Sequence, residues 1–167
     1  MPEKQTLKRA RKDRRQGKSP STQAGEFVRE EVRHVRKGKH GARSAKQAIA
    51  IGLSKARRAG VKLRPPKKSR ASARTRSQAK RAYASGQRSH KHAVSRKRSR
   101  AISAVLKREG KKGASHTALS RQARSSAQAR GSASRHRAAL KAVRTKGRAG
   151  LRQAARKAAR TRALRRK

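Results

Sequence analysis

Negative charge and bulky side chains are the scarcest components of this sequence. Of 167 residues only 6 are acidic, one is Phe and one is Tyr, and Trp and Cys are absent. Without cysteine, the chain has neither a disulfide framework nor a cysteine-ligated zinc site. Large side chains supply most of the buried area of a folded domain. We therefore expect that the chain cannot order all of its length alone, since low hydrophobicity with high net charge is typical of disorder.

Long apolar runs are missing too. No window approaches the roughly 18 consecutive apolar residues of a transmembrane helix. The first residues, MPEKQTLKRARKDRRQGK, lack the apolar segment of a secretory signal. We expect a cytoplasmic protein that does not interact with membranes.

The sequence also offers little catalytic chemistry. A general base needs an orienting carboxylate or a pocket that excludes water, and Glu109 is the only acid after residue 66. The segment GKHGARS follows no strand pattern, so it does not match a nucleotide-binding loop. His34 and His40, with Glu31 nearby, fall short of a complete zinc shell, and we interpret them as solvated or phosphate-contacting. We expect no enzyme, cofactor, metal site or small-molecule substrate.

Positive charge is what the chain has in excess. Lys and Arg number 54, which gives a net charge of +48. Duplex DNA carries one negative charge per ~1.7 Å, so this charge matches roughly 80 Å of duplex and indicates a long polyanion as partner. Single-strand binders and RNA-recognition sheets stack bases on aromatic side chains, which this chain lacks. The composition therefore favours contacts with duplex phosphates and little reading of sequence.

A helical hairpin is predicted between residues 19 and 63. Ser19 and Pro20 form a helix start, and Gly38 is a suitable end. Ser44, with Gln47 three residues later, predicts the cap of a second helix that ends at Gly60. The small residues on the second helix would let the first approach closely. Helical spacing places the expected packing residues on facing stripes: Phe27, Val28, Val32, Val35, Ile49 and Leu53.

The rest of the chain is predicted to be less ordered. We expect a basic mobile arm at residues 1–18. Residues 64–167 form a low-complexity region in which glycines separate marginal Ala/Arg-rich helices at 89–109, 115–130, 132–146 and 148–167. The predicted fold class is mostly α: a short hairpin plus several such helices, loosely packed or disordered without nucleic acid.

The candidate nucleic-acid contacts are basic residues in the hairpin and the region after it. They are Lys37, Lys39, Arg43, Lys46, Lys55, Arg57, Arg58, Lys62, Arg64, Lys67, Lys68, Arg96, Arg98, Arg100, Arg152, Arg156, Lys157, Arg160, Arg165 and Arg166. A sharper alternative is a helix-turn-helix that reads the major groove through Lys46, Lys55, Arg57 and Arg58, although its link is long for that motif. Otherwise the hairpin is a packing element, with possible self-association.

The stretch STQAGEFVREEVRHVRKGKHGARSAKQAIAIGLSKARRAGVKL resembles a family of small, highly basic bacterial proteins of unestablished function, often labelled plasmid stabilisation protein. RARKDRRQGKSP and ALSRQAR are similar to the same family, whereas Arg64 before Pro65 departs from it. The final LRQAARKAARTRALRRK is similar in composition to linker-histone tails. The resemblance implies a role in DNA maintenance and supplies no catalytic residues.

These observations predict a nucleoid-associated DNA-binding protein, in plasmid or chromosome maintenance, that contacts phosphates with little sequence specificity. One alternative is an RNA-binding or ribosome-associated basic protein, because basic ribosomal tails need no aromatic residues. Another is a protein-docking factor in plasmid stabilisation that uses the hairpin as its binding surface.

Overall fold

Helices account for most of the structure. The computed structural model describes residues 2–88 and 95–164, and within these ranges the chain forms helices and no strand. The predicted mostly α fold class is confirmed. No helix in the described ranges is both long and apolar enough to span a membrane. The helices are α1 (Lys4–Arg15), α2 (Pro20–Arg36), α3 (Ala45–Arg58), α4 (Ala73–Gln87), α5 (Arg96–Arg108), α6 (His116–Ala129) and α7 (Ser132–Leu164).

The predicted helical hairpin is formed by α2 and α3, and local capping explains its bounds. The Ser19 hydroxyl accepts a hydrogen bond from the backbone N–H of Thr22 at 3.4 Å, and the Ser44 hydroxyl accepts one from Gln47 at 3.2 Å. Gly38 follows the end of α2 with a φ of 74°, where glycine carries no steric cost. Its N–H binds the carbonyl of Val35, which completes the turn.

The two hairpin helices approach so closely that, at one position, any residue larger than glycine would force the helices apart. A Cβ added to Gly52 on α3 would lie 2.7 Å from the Cα of Val28 on α2. Phe27 is 1% exposed and packs in a cluster with Ala24, Ala56 and others. The remaining predicted packing residues are buried or half-buried: Val28, Val32, Val35, Ile49 and Leu53. The expected close approach is therefore present.

The first 18 residues differ from the mobile arm that we expected. Residues Lys4–Arg15 form α1, which packs against α2. Its inward face carries Thr6, Ala10 and Asp13, all buried. Because two of these three are polar, the apolar periodicity that normally predicts an amphipathic helix is absent. The α1 N-terminus is instead bound through the backbone N–H of Glu3, which lies 3.2 Å from both carboxylate oxygens of Glu30 on α2.

The compact first unit continues beyond the expected hairpin boundary, to Gln122. Helix α4, which the sequence did not predict, packs on α3 through the buried Ala79 and Ala82. The end of α5 and the segment after it dock on the α2–α3 link by backbone hydrogen bonds: Gly41 N–H to the Leu106 carbonyl at 2.7 Å, and Ala42 N–H to the Gly110 carbonyl at 3.0 Å. The hairpin is thus the centre of a larger helical unit.

The second unit, residues 123–167, contains the end of α6 and all of α7. Helix α7 has a non-helical residue, Gly147, which divides it into two arms. This break lies where the sequence predicted it, between residues 146 and 148. No described residue of this unit is buried. The expectation of disorder is nevertheless wrong for its described residues, because Ala and Arg are among the strongest helix formers. Helix α5 likewise forms without any buried residue.

Candidate functional site

The acidic residues are all at least partly shielded from solvent. All six lie in the described part of the chain, and none is exposed: Asp13, Glu30 and Glu31 are buried, and Glu3, Glu26 and Glu109 are half-buried. Within the hairpin, Glu30 and Glu31 are 1% and 0% exposed. The fully exposed charged residues of the described chain are therefore all basic.

Surface and interior ion pairs hold several of these acids. The Nζ of Lys18 donates to Asp13 at 2.7 Å, and the Nε of Arg9 donates to Glu26 at 2.6 Å. The latter pair joins α1 to α2, so it fixes the packing of the two helices. Because both bases are partly exposed, each pair contributes at most about 1 kcal/mol.

Glu3 forms the most connected ion pair. Its carboxylate lies 2.7 Å from Nε2 of His34 and 3.3 Å from Nζ of Lys39, and it also accepts a hydrogen bond from Arg33. The hydrogen bond from His34, followed by the bond from Lys39 and the charge of Arg33, lowers the pKa of Glu3 to about 2, against the opposing effect of burial. This set of contacts attaches the start of α1 to the end of α2.

Glu31 is fully buried and lies close to two histidines. Nζ of Lys55 on α3 donates to Oε2 of Glu31 at 2.5 Å, and Nε2 of His40 lies 3.1 Å from its Oε1. One carboxylate oxygen of Glu31 and one ring nitrogen each of His34 and His40 lie within 4.8 Å of one another. We define these three residues as the Glu31 cluster. His34 is 8% exposed, so its interpretation as a solvated residue is wrong.

Two of the predicted nucleic-acid contacts have structural roles instead. Lys55 is bound to the buried Glu31. Arg57 is 8% exposed, its Nε donates to the Leu63 carbonyl at 3.2 Å, and burial lowers its pKa. Lys39 is exposed but is paired with Glu3. The sequence could not separate these bases from their neighbours because charge alone does not report burial.

Most of the other predicted contacts are exposed, as a phosphate-binding surface requires. Arg165 and Arg166, like His90 and His92, lie outside the described residues. The exposed set is Lys37, Arg43, Lys46, Arg58, Lys62, Arg64, Lys67, Lys68, Arg96, Arg98, Arg100, Arg152, Arg156, Lys157 and Arg160.

The helix-turn-helix alternative disagrees with the position of α3. Helix α2 packs on one part of α3 and α4 on another. Along α3 only Lys46, Ala50 and Arg58 are exposed, and Lys55 and Arg57 are engaged inside the protein. A recognition helix presents several side chains to base edges in the major groove. Helix α3 is therefore a central packing helix of the first unit.

Helix α1 carries a basic surface that the sequence analysis missed. Lys4, Lys8, Arg11 and Arg15 recur at intervals of four, three and four residues, so they follow one face of the helix. All four are exposed, and they line one shallow depression together with Leu7 and Arg14. We call these four residues the α1 stripe. The same helical spacing of bases in the sequence is the signal that could have revealed it.

The second arm of α7 carries a similar row. Arg148, Arg152, Arg156 and Arg160 recur every four residues and are all exposed. We call these four residues the α7 row. No acid occurs in α7, and like charges at this spacing weaken an isolated helix by about 0.2–0.5 kcal/mol per pair. A polyanion bound along the row would remove that repulsion.

Comparison with known proteins gives a partial family match. Residues 4–68 match a family of unknown function, DUF6496. This segment contains α1, α2 and α3, so it begins before the hairpin and includes the first helix. No curated protein and no solved structure matches the chain.

Proposed function

We propose that this protein binds duplex nucleic acid, most favourably DNA, through phosphate contacts with little sequence specificity. The observation that carries the proposal is the sorting of charge: bases cover the surface while all six acids are buried or half-buried. A surface of one sign is repulsive to itself and attracts a polyanion. A small acidic ligand would neutralise only a fraction of the +48 charge.

The geometry of the basic rows supports phosphate binding. Residues four apart on a helix are separated by about 6 Å along its axis, so each row forms a regular line of positive charge that can follow a phosphate backbone. The α1 stripe and the α7 row each present four bases at such intervals. Arginine adds a planar fork that binds phosphate oxygens in pairs.

The positions of the two aromatic residues disfavour base stacking. Phe27 is 1% exposed inside the hairpin, and Tyr83 is half-buried on α4. Single-strand binding usually relies on several exposed aromatic faces. Duplex backbone contacts therefore fit the surface better than single-strand contacts. A role in plasmid or chromosome maintenance in the nucleoid, which the plasmid-stabilisation label implies, is part of this proposal.

The salt dependence of DNA affinity tests the mechanism. Each phosphate contact contributes about 0.9 to the slope of log K against log salt concentration. Replacing the four residues of the α7 row with Gln should reduce that slope by up to about 3.6. The matched control replaces Ala154, Ala155 and Ala158 on the same arm with Gln, which alters exposed positions and leaves every base in place.

The outcomes separate the candidates. A shallow slope for the wild type, or an equal slope for the row variant and the control, would contradict phosphate binding through α7. Competition between duplex DNA and structured RNA for the protein then shows which nucleic acid it prefers. If structured RNA competes more strongly than duplex DNA, the RNA-binding or ribosome-associated alternative would be favoured over DNA binding. Retention of the biological effect in a variant that has lost DNA affinity would instead indicate protein docking.

A further inference from the structure

The Glu31 cluster joins residues from two segments of the hairpin. Glu31 and His34 lie one turn apart on α2, at the i and i+3 positions that place a carboxylate and an imidazole on one helix face. His40 approaches them from the link between α2 and α3, and its ring meets that of His34 edge to face at a centroid distance of 6.1 Å. None of these three residues belongs to the exposed basic surface.

Hydrogen bonds fix the proton positions on both histidines. Nδ1 of His40 lies 3.1 Å from the carbonyl oxygen of Gly41, which can only accept, so Nδ1 carries the hydrogen. Nε2 of His34 lies 2.7 Å from the Glu3 carboxylate and donates to it. In its neutral form, each ring therefore keeps a second nitrogen with a lone pair. Metal-bound histidines are held in this way, with the other N–H bound to a carboxylate or a backbone carbonyl.

Glu31 contributes a buried oxygen without a hydrogen-bond donor. Its side chain is 0% exposed, and Oε1 accepts no hydrogen bond. Nε2 of His40 lies 3.1 Å from Oε1, and it too is an acceptor in the neutral ring. Two facing acceptors in a buried site require a cation between them. A proton would serve these two atoms, whereas a metal ion would also use a nitrogen of His34.

The buried charge favours a cation as well. Glu30 and Glu31 both have side chains that are 0% exposed, while the nearest base on α3, Lys55, is partly exposed at 24%. Arg33 and Lys39 bind Glu3 from positions that are 38% and 55% exposed. The bases around the innermost carboxylates are thus less buried than the carboxylates themselves.

We propose that Glu31, His34 and His40 bind a divalent transition-metal ion, with Zn²⁺ as the best match. Two imidazoles and one carboxylate form a donor set used by zinc sites, in which water completes the tetrahedron. Imidazole donors select against Mg²⁺ and Ca²⁺, which prefer oxygen ligands. The ligand atoms lie within 4.8 Å of one another, so small rotations bring them to zinc-bonding distance. The ion would link α2 to the α2–α3 link and, through Glu3, support α1.

Zinc titration of the full-length protein tests this proposal. Isothermal titration with Zn²⁺ alone should show one site per chain whose affinity falls about 100-fold or more in His34→Gln and His40→Gln, because loss of a ligand exceeds the typical effect of an outer-shell change. His116→Gln on α6 is the matched control, since His116 is exposed and distant in sequence from the cluster. Mg²⁺ should not compete.

A double variant provides the baseline. His90 and His92 also form a potential metal-binding pair in the sequence, and they remain in the variant His34→Gln/His40→Gln. Zinc should raise the Tm of the wild type and leave that of the double variant unchanged. Far-UV circular dichroism of the metal-free proteins verifies that the variants are folded. Equal zinc binding by wild type and double variant would overturn the proposal.

Discussion

Gly52 gives the sharpest test of the hairpin packing. In Gly52→Ala, the new Cβ would lie 2.7 Å from the Cα of Val28 and 3.0 Å from its backbone nitrogen. Carbon atoms pack at about 3.5–4.0 Å, so α2 and α3 would have to separate by roughly 1 Å. Such overpacking costs about 1–3 kcal/mol, and the higher helix propensity of Ala returns about 1 kcal/mol. We expect a net loss of up to about 2 kcal/mol in the free energy of unfolding.

Gly25 provides the matched control, because it lies within α2 and an added Cβ would meet nothing within 4 Å. Gly25→Ala should therefore stabilise the protein by about 0.5–1 kcal/mol, through helix propensity alone. Urea unfolding followed by the fluorescence of Tyr83, on the neighbouring helix α4, reports on this unit without the signal of α7. If Gly52→Ala were as stable as Gly25→Ala, the close approach of the two helices would be refuted.

Two further predictions concern the first helix. As pH falls from about 5 to about 2, the protein should lose stability, because the pKa of Glu3 is lowered from 4.5 to about 2 by His34, Lys39 and Arg33. The contribution of Glu3 to folding stability is complete above the pKa of the unfolded state and disappears as the carboxylate of the folded protein becomes protonated. Urea midpoints at pH 5 and pH 3 should converge in Glu3→Gln, and an equally steep decline in the variant would refute this assignment. Replacing the α1 stripe with Gln should lower the salt slope of DNA binding by up to about 3.6 and leave the urea midpoint unchanged or raised; an unchanged slope would exclude α1 from the interface.

The hairpin was predictable because its signals are local. Ser19, Ser44, Gly38 and Gly60 each act on backbone groups within a few residues, and the structure places helix ends at all four. The break in α7 at Gly147 was predictable for the same reason. Such signals depend on the residue and its immediate neighbours, so the excess of Arg and Ala elsewhere did not hide them.

Helices α1 and α4 were missed because their contacts do not use large apolar side chains. Helix α1 is bound through the backbone of Glu3 and through the buried Thr6 and Asp13. Helix α4 packs through small residues, and at Gly86 its backbone lies so close to the Arg57 carbonyl that a Cβ would overlap it. Docking of the segment after α5 rests on backbone hydrogen bonds. Contacts of this kind leave no hydrophobic periodicity in the sequence.

The buried acids of the hairpin show why a count of charges cannot identify which bases are available to a polyanion. Folding of the hairpin buries Glu30 and Glu31, and a buried carboxylate needs a partner. That partner, Lys55, is drawn from the same bases that a polyanion would contact. Burying an acid therefore removes a negative charge that would repel a polyanion. The buried acid also pairs with a base that could otherwise contact the polyanion. In the proposed DNA-binding function, attraction for DNA would depend on the exposed bases that remain, which include the α1 stripe but not Lys55.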